Sequence, residues 1–103
     1  GTFYCPMDEA LTRVSLDLSG RGYLVYQVEL SRDYCGDFET DSLKEFLYAF
    51  AINGGLNLHI SNLYGENTHH IIESIFKALG RALKEACEIV DASGLVPSTK
   101  GSL

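Results

Sequence analysis

The apolar residues of this chain switch between the period of a strand and the period of a helix, and that switching constrains the fold more than any other feature. Between Thr12 and Leu18, Val14, Leu16 and Leu18 fall on one side while Arg13, Ser15 and Asp17 fall on the other. After the link SGRG the alternation resumes through YLVYQVEL, Tyr23 to Leu30. Successive side chains of a strand point to opposite faces, so each run reads as a half-buried strand. Two such runs joined by a Gly-containing link predict an antiparallel hairpin. The polar segment SRDYCGDFETD reads as a loop. In TDSLKEFLYAFAING, Leu43, Phe46, Leu47 and Phe50 recur at spacings of three and four. That spacing predicts an amphipathic helix, opened by Thr40 or Asp41 and closed at the NGG that follows. LNLHISNL alternates again, with Leu56, Leu58 and Ile60 opposed to Asn57, His59 and Ser61. LYGEN is a turn, Asn67 a helix cap, and a second helix runs from about Thr68 to near Val90. A short extra strand is expected at Tyr4 to Asp8, and the tail DASGLVPSTKGSL reads as loop.

This order of elements predicts an α/β (α+β) two-layer sandwich: about four strands in a mixed sheet, with both helices on one face. Similar two-layer folds serve in ribosomal proteins. At 103 residues the chain is a single domain with one core. The other sheet face carries a mixed, partly apolar set of residues, so another sheet or a partner subunit is expected to cover it. The chain opens on GTFYCPMDEA without an initiator Met and reads as a piece of a longer protein.

Composition removes several function classes. Apolar residues make up 46% and charged residues 21%, the balance of a globular domain. A formal charge of −6 opposes nucleic-acid binding, which needs clustered Lys and Arg to displace counterions. No apolar run is long enough to span a membrane, and no basic-then-apolar leader is present. Cys5, Cys35 and Cys87 are odd in number and widely spaced, which argues for a reducing compartment and hence a cytoplasmic protein.

The chemistry concentrates in GENTHHIIES, Gly65 to Ser74. On the second helix, Ile71, Ile72, Ile75, Phe76, Leu79 and Leu83 form an apolar stripe. His69, Glu73 and His70 lie in an arc roughly 100° wide just beyond its edge. Glu73 is at i+4 from one imidazole and i+3 from the other, so it can share a ligand sphere with either. The adjacent histidines diverge by about 100° and cannot easily grip the same ion. That suits two neighbouring metals bridged or flanked by one carboxylate. The positive helix end disfavours imidazolium, so both rings are expected to be neutral and ready to ligate. His59, on the preceding strand, is the third imidazole of a set suited to Mn, Fe or Zn. The competing reading is a solvated or capping histidine.

Two other stretches are less specific. In PSTKGSL, Ser98, Thr99, Lys100 and Gly101 could hold a phosphate, but the same letters describe an ordinary exposed tail. Arg21, in the link SGRG, could reach an anion or stay solvated. Asp8 and Glu9 in PMDEAL could be catalytic carboxylates, with the charged edge of a strand as the default.

Taken in order, PMDEAL, DLSGRGYL, EFLYAFAINGGLNLHI, LYGENTHHIIESIFKALGRAL and the terminal PSTKG resemble the imidazoleglycerol-phosphate dehydratase family of histidine biosynthesis. The resemblance spans nearly all of the chain. It implies a fold of two repeated half-domains, each with its own H-H helix, of which residues 1–103 are the second. It places His59, His69, His70 and Glu73 on metal-ligand positions for a pair of manganese ions, with Glu73 also catalytic. It places Arg21, Ser98 and Lys100 on the substrate phosphate. The implied reaction removes water from imidazoleglycerol phosphate to give imidazole-acetol phosphate, the metals binding the imidazole as imidazolate. The implied assembly is a homo-oligomer of 24 subunits with octahedral symmetry and sites between subunits, cytoplasmic, or plastid in a plant. Gly22 stands where the family usually has Pro, and Lys44 where an acidic residue is common; neither departure touches the chemistry. A chain lacking the first half is expected to be inactive alone. The alternative is a non-catalytic metal-binding or oligomerisation module.

Overall fold

The computed structural model of the chain describes residues 1–88. In order, the elements are β1 (Thr2–Met7), β2 (Ala10–Asp17), β3 (Tyr23–Gln27), β4 (Tyr34–Cys35), β5 (Phe38–Glu39), α1 (Asp41–Gly54), β6 (Asn57–Tyr64) and α2 (Thr68–Ala86). The main sheet has the order β1-β2-β6-β3. β1 and β6 both run antiparallel to β2, while β3 runs parallel to β6, so the sheet is mixed.

This topology corrects the expected hairpin. β2 and β3 are consecutive in sequence, but β6 lies between them. The alternating patterns carry no information on which strand is the neighbour, because each only records which residues are buried. The true hairpin is β1–β2, turned at Asp8 and Glu9 in register Met7↔Ala10. The strand expected at Tyr4 to Asp8 is thus a full six-residue edge strand. β3 stops at Gln27, before the expected Leu30. The loop expected in SRDYCGDFETD contains the small β4–β5 hairpin, with Gly36 in the left-handed region.

Register confirms the faces. Leu58 lies beside Leu16, and Ile60 beside Val14, all buried under the helices. Leu43, Leu47 and Ala51 of α1 and Ile71, Ile75, Ala78, Leu79 and Ala82 of α2 complete the core. α1 ends as expected, with Gly55 left-handed at φ 65° and its N–H on the last-turn carbonyls. At its start Thr40 gives no side-chain cap; its hydroxyl donates instead to the Arg32 carbonyl at 2.8 Å. α2 is capped by Asn67, whose Oδ1 accepts from the His70 N–H at 3.0 Å. It ends at Ala86, short of Val90.

The open face agrees with expectation, while two helix aromatics do not. The open sheet face is mixed, as expected: Thr2, Arg13, Ser15, Asp17, Asn57, His59 and Gln27 share it with Tyr4, Leu11, Tyr23 and Val25. There the Arg13 guanidinium donates to Ser61 at 3.2 Å, and the Ser61 hydroxyl donates to Gln27 at 2.9 Å. Further uncovered apolar surface sits on the helices. Phe46 and Phe76 are 52% and 42% exposed and meet at 6.1 Å between ring centres. Both were expected in the buried stripes, but both sit on the flank of a helix whose central positions fill the core.

Candidate active site

β6 carries the chain from one end of the sheet to the other. At about 3.3 Å per residue its eight residues span roughly 26 Å. Arg21 and His59 belong to the end where β6 begins; His69, His70 and Glu73 belong to the end where it delivers the chain into α2. The two groups are therefore not brought together within one chain.

At the α2 end the sequence has built a tight corner. The turn between β1 and β2 needs a left-handed residue, and Asp8 supplies it at φ 49°. Asp and Asn tolerate that region better than most residues. The turn aims both of its carboxylates at the first turn of α2. Glu9 Oε2 accepts the backbone N–H groups of Glu66 and Asn67, each at 2.9 Å. Glu9 Oε1 lies 2.6 Å from His70 Nδ1. Asp8 Oδ2 lies 3.4 Å from the other ring nitrogen, Nε2. Gly65 is pressed into the same corner: an added Cβ would lie 2.8 Å from the Ala10 Cβ.

One residue earlier, His69 points elsewhere, the two rings meeting at 67° with centres 6.3 Å apart. That matches the divergence expected of adjacent helical residues. His69 Nε2 lies 3.6 Å from Glu73 Oε2, the i,i+4 contact read from the sequence. Glu73 Oε1 is also 3.5 Å from Lys77 Nζ. The β4–β5 hairpin places Cys35 Sγ 3.8 Å from His69 Nδ1. His69 and Glu73 are open to solvent, so they can be approached by a ligand or by another chain.

The charges at the corner overturn one expectation. The helix end was expected to keep both imidazoles neutral. For His70 the opposite direction holds: its hydrogen bond to Glu9 raises its pKa, partial burial opposes this, and the charges of Glu9, Asp8 and Glu73 add to the rise. Carboxylates within contact distance outweigh partial charges at the helix end. The His70 hydrogen bond, with those from Asn67 and Glu66, holds the Glu9 carboxyl down to about 2.

The remaining candidates are dispersed. His59 is exposed on the open sheet face, its Nε2 2.9 Å from Asn57 Oδ1, with Ser15 as its register partner. The turn into α2 follows Tyr64, five residues or roughly 17 Å further along β6, so His59 is not at the helix start. Arg21 is exposed in the link between β2 and β3. That link lies against α1: an added Cβ on Gly22 would lie 2.5 Å from Ile52 Cα, so Gly22 is more than a turn residue. Ser98 and Lys100 lie outside the described residues. Among the described residues, no group of three or more His, Cys, Asp and Glu side chains is gathered as a cage for one ion. Also among them, no helix is long and apolar enough to cross a membrane.

Glu9 is the residue that sequence reasoning undervalued. The available signal was the pair Asp8-Glu9 between two alternating runs, a hairpin turn that the short strand estimate obscured.

Comparison with known proteins bears directly on this geometry. The profile of the family described as imidazoleglycerol-phosphate dehydratase matches residues 1–83. The protein of that name from Caldanaerobacter subterraneus is 57% identical over 102 residues, which are 99% of this chain and 53% of that one. That from Rhodopseudomonas palustris is 56% identical over 95% of this chain and 50% of its own length. The crystal structure of imidazoleglycerol-phosphate dehydratase from Staphylococcus aureus superposes with a TM-score of 0.86 at 49% identity, covering 87% of this chain and 52% of that one. The chain thus spans about half the length of the curated relatives it matches. With a profile match over most of its residues, relatives above half identity and the same mixed-sheet fold, the chain belongs to the imidazoleglycerol-phosphate dehydratase family.

Proposed function

We propose that this chain is the second of two repeated half-domains of a hydro-lyase of histidine biosynthesis, and that it supplies part of a site that dehydrates imidazoleglycerol phosphate to imidazole-acetol phosphate. The reaction breaks one C–O bond and removes one C–H proton, releasing water, and the enol so formed tautomerises to the ketone. Nothing is oxidised or reduced overall, so no redox partner is required. The observation that carries the reading is the corner at the start of α2, where two imidazoles diverge and a carboxylate stands one turn behind them.

The donor set fits a pair of manganese ions in kind: imidazole nitrogens and carboxylate oxygens suit a borderline to hard divalent cation. His69, Glu73 and His70 are the residues that would hold them. Such ions supply Lewis acidity toward the substrate's imidazole, spreading the charge that develops when a weakly acidic C–H proton leaves. Glu73, one turn from His69, would also exchange a proton. Arg21, with Ser98 and Lys100, is the proposed phosphate grip, which fixes the remote end of the substrate.

The separation of these groups along β6 favours a site completed by other chains. Arg21 and His59 would serve the site of a neighbouring subunit, and the upstream half-domain would add further donors. The proposal extends to a homo-oligomer with sites between subunits, of the symmetric 24-subunit kind that the family resemblance implies, working in the cytoplasm. The substrate is a small phosphate ester, with no role for nucleic acid or membrane.

The test is metal content by elemental mass spectrometry, on this chain and on a full-length relative carrying His70→Ala or Glu73→Ala. Loss of bound manganese and of turnover in either variant is expected. Normal metal and activity in both would refute the assignment. Tight metal binding without turnover in the wild-type full-length protein would favour a metal-binding module.

A further inference from the structure

We infer that Glu9 is a positioning residue for His70: it holds the proton of the imidazole on Nδ1 and so presents Nε2 as the free lone pair. The inference rests on the proposed function only for what Nε2 then receives.

The argument is geometric. A neutral imidazole donates from one nitrogen and accepts at the other. A carboxylate is acceptor-only when ionised, so a 2.6 Å approach of Glu9 Oε1 to Nδ1 requires a proton between them. The opposite tautomer would set a lone pair against a carboxylate oxygen at that distance. The Glu9 carboxylate cannot swing away to relieve it. Its other oxygen is held at 2.9 Å by both the Glu66 and Asn67 N–H groups, the two residues that lead into α2. Asp8 competes for the ring from the other side, but at 3.4 Å and with a side chain 74% exposed it has no comparable anchor. Glu9 therefore decides the tautomer. Asp8 remains beside Nε2, where a cation bound to that nitrogen would meet a second oxygen donor.

The arrangement links two functions in one side chain. One oxygen fixes where the chain enters α2, and the other fixes the ring on the third residue of that helix. Partners of this kind orient a ligating imidazole and raise its basicity.

The experiment is long-range ¹H–¹⁵N correlation NMR on the metal-free chain, at alkaline pH where the ring is neutral, which distinguishes the two tautomers of His70 by their nitrogen shifts. The wild type is expected to show the Nδ1–H form alone. Glu9→Gln cannot accept on both sides of its amide at once, and is expected to release a mixture containing the Nε2–H form. Asp8→Asn is expected to leave the tautomer unchanged. An Nε2–H ring in the wild type, or an unchanged tautomer in Glu9→Gln, would overturn the inference. The wild-type spectrum decides even if a variant fails to fold. A manganese titration of the full-length relative then adds the consequence: Glu9→Gln should weaken affinity by roughly 10–100-fold. A wild type that shows the predicted tautomer but binds no manganese would refute the proposed function and leave the role of Glu9 standing.

Discussion

His70 and His59 make an instructive pair, because both sit in this small sheet-and-helix layer and their surroundings share almost nothing. His70 stands in a corner where three elements converge, with a carboxylate on each ring nitrogen and its own N–H held by a cap. His59 stands near the start of β6 on the open sheet face, bonded to a residue two positions away. The difference teaches that residue type alone does not make a site. A strand face offers only what its own register supplies, whereas a hairpin turn meeting a helix start gathers groups that are about sixty residues apart in sequence, as Glu9 and His70 are.

The sharpest way to break that comparison is turnover in the full-length protein. His70→Ala and Glu73→Ala are expected to lower it by at least about 10²-fold, the scale of losing a group that takes part in proton transfer. His59→Ala is expected to cost less. An equal loss at His59 would mean that the open face of one chain completes the corner of another, and the contrast drawn within one chain would dissolve in the assembly.

Stability separates the two faces of β6 by single steps along the strand. Leu58 is fully buried, so Leu58→Ala should destabilise the chain by about 2–5 kcal/mol in urea titration. The neighbouring His59→Ala should fall within about 0.5 kcal/mol. Similar costs at both positions would show that the open face is covered in solution. Gly22→Ala tests the Arg21 end of the sheet, where the added methyl meets the backbone of α1. A loss of about 1–3 kcal/mol is expected; a neutral result would show that the link has room to move away.

The pH response is the smallest of these effects, since the groups are near solvent. Glu9 is held down to about 2 from 4.5, so its contribution is complete above the ordinary carboxyl range and fades as pH falls from there toward 2. His70 is raised, so its contribution is complete below its ordinary 6.5 and fades as pH rises through its shifted value. The corner should be firmest in the window between, seen as the highest amide protection at Glu66 and Asn67 relative to the intrinsic exchange rate at each pH. Protection that falls on entering that window from either side would contradict the pairing.

Much of this fold was legible in the letters. The alternation around Val14 and Leu58 and the helical spacing of Leu43 and Leu47 report burial directly, since a side chain's face follows from its place in the repeat. The cap at Asn67 and the stop at Gly55 were legible because they are local backbone requirements. Phe46 and Phe76 were misplaced because a stripe of apolar residues does not say where its buried centre ends and its exposed flank begins. The H-H-x-x-E helix was legible as a site, and so was the divergence of its two rings. What was not legible was the company His70 keeps, because Asp8 and Glu9 arrive from the other end of the chain.

The sequence by itself determined the two layers, the helix ends, the buried face of each strand and the family, because each of these is written in spacings of a few residues. Tertiary structure alone decided that β6 inserts between β2 and β3, that His59 and Arg21 stand at the end of the sheet remote from the helix histidines, and that Glu9 rather than the helix end sets the state of His70. Pairing order and charge at a corner depend on which distant segments meet, and at His70 a carboxylate at 2.6 Å acts more strongly than the partial charge of the helix end.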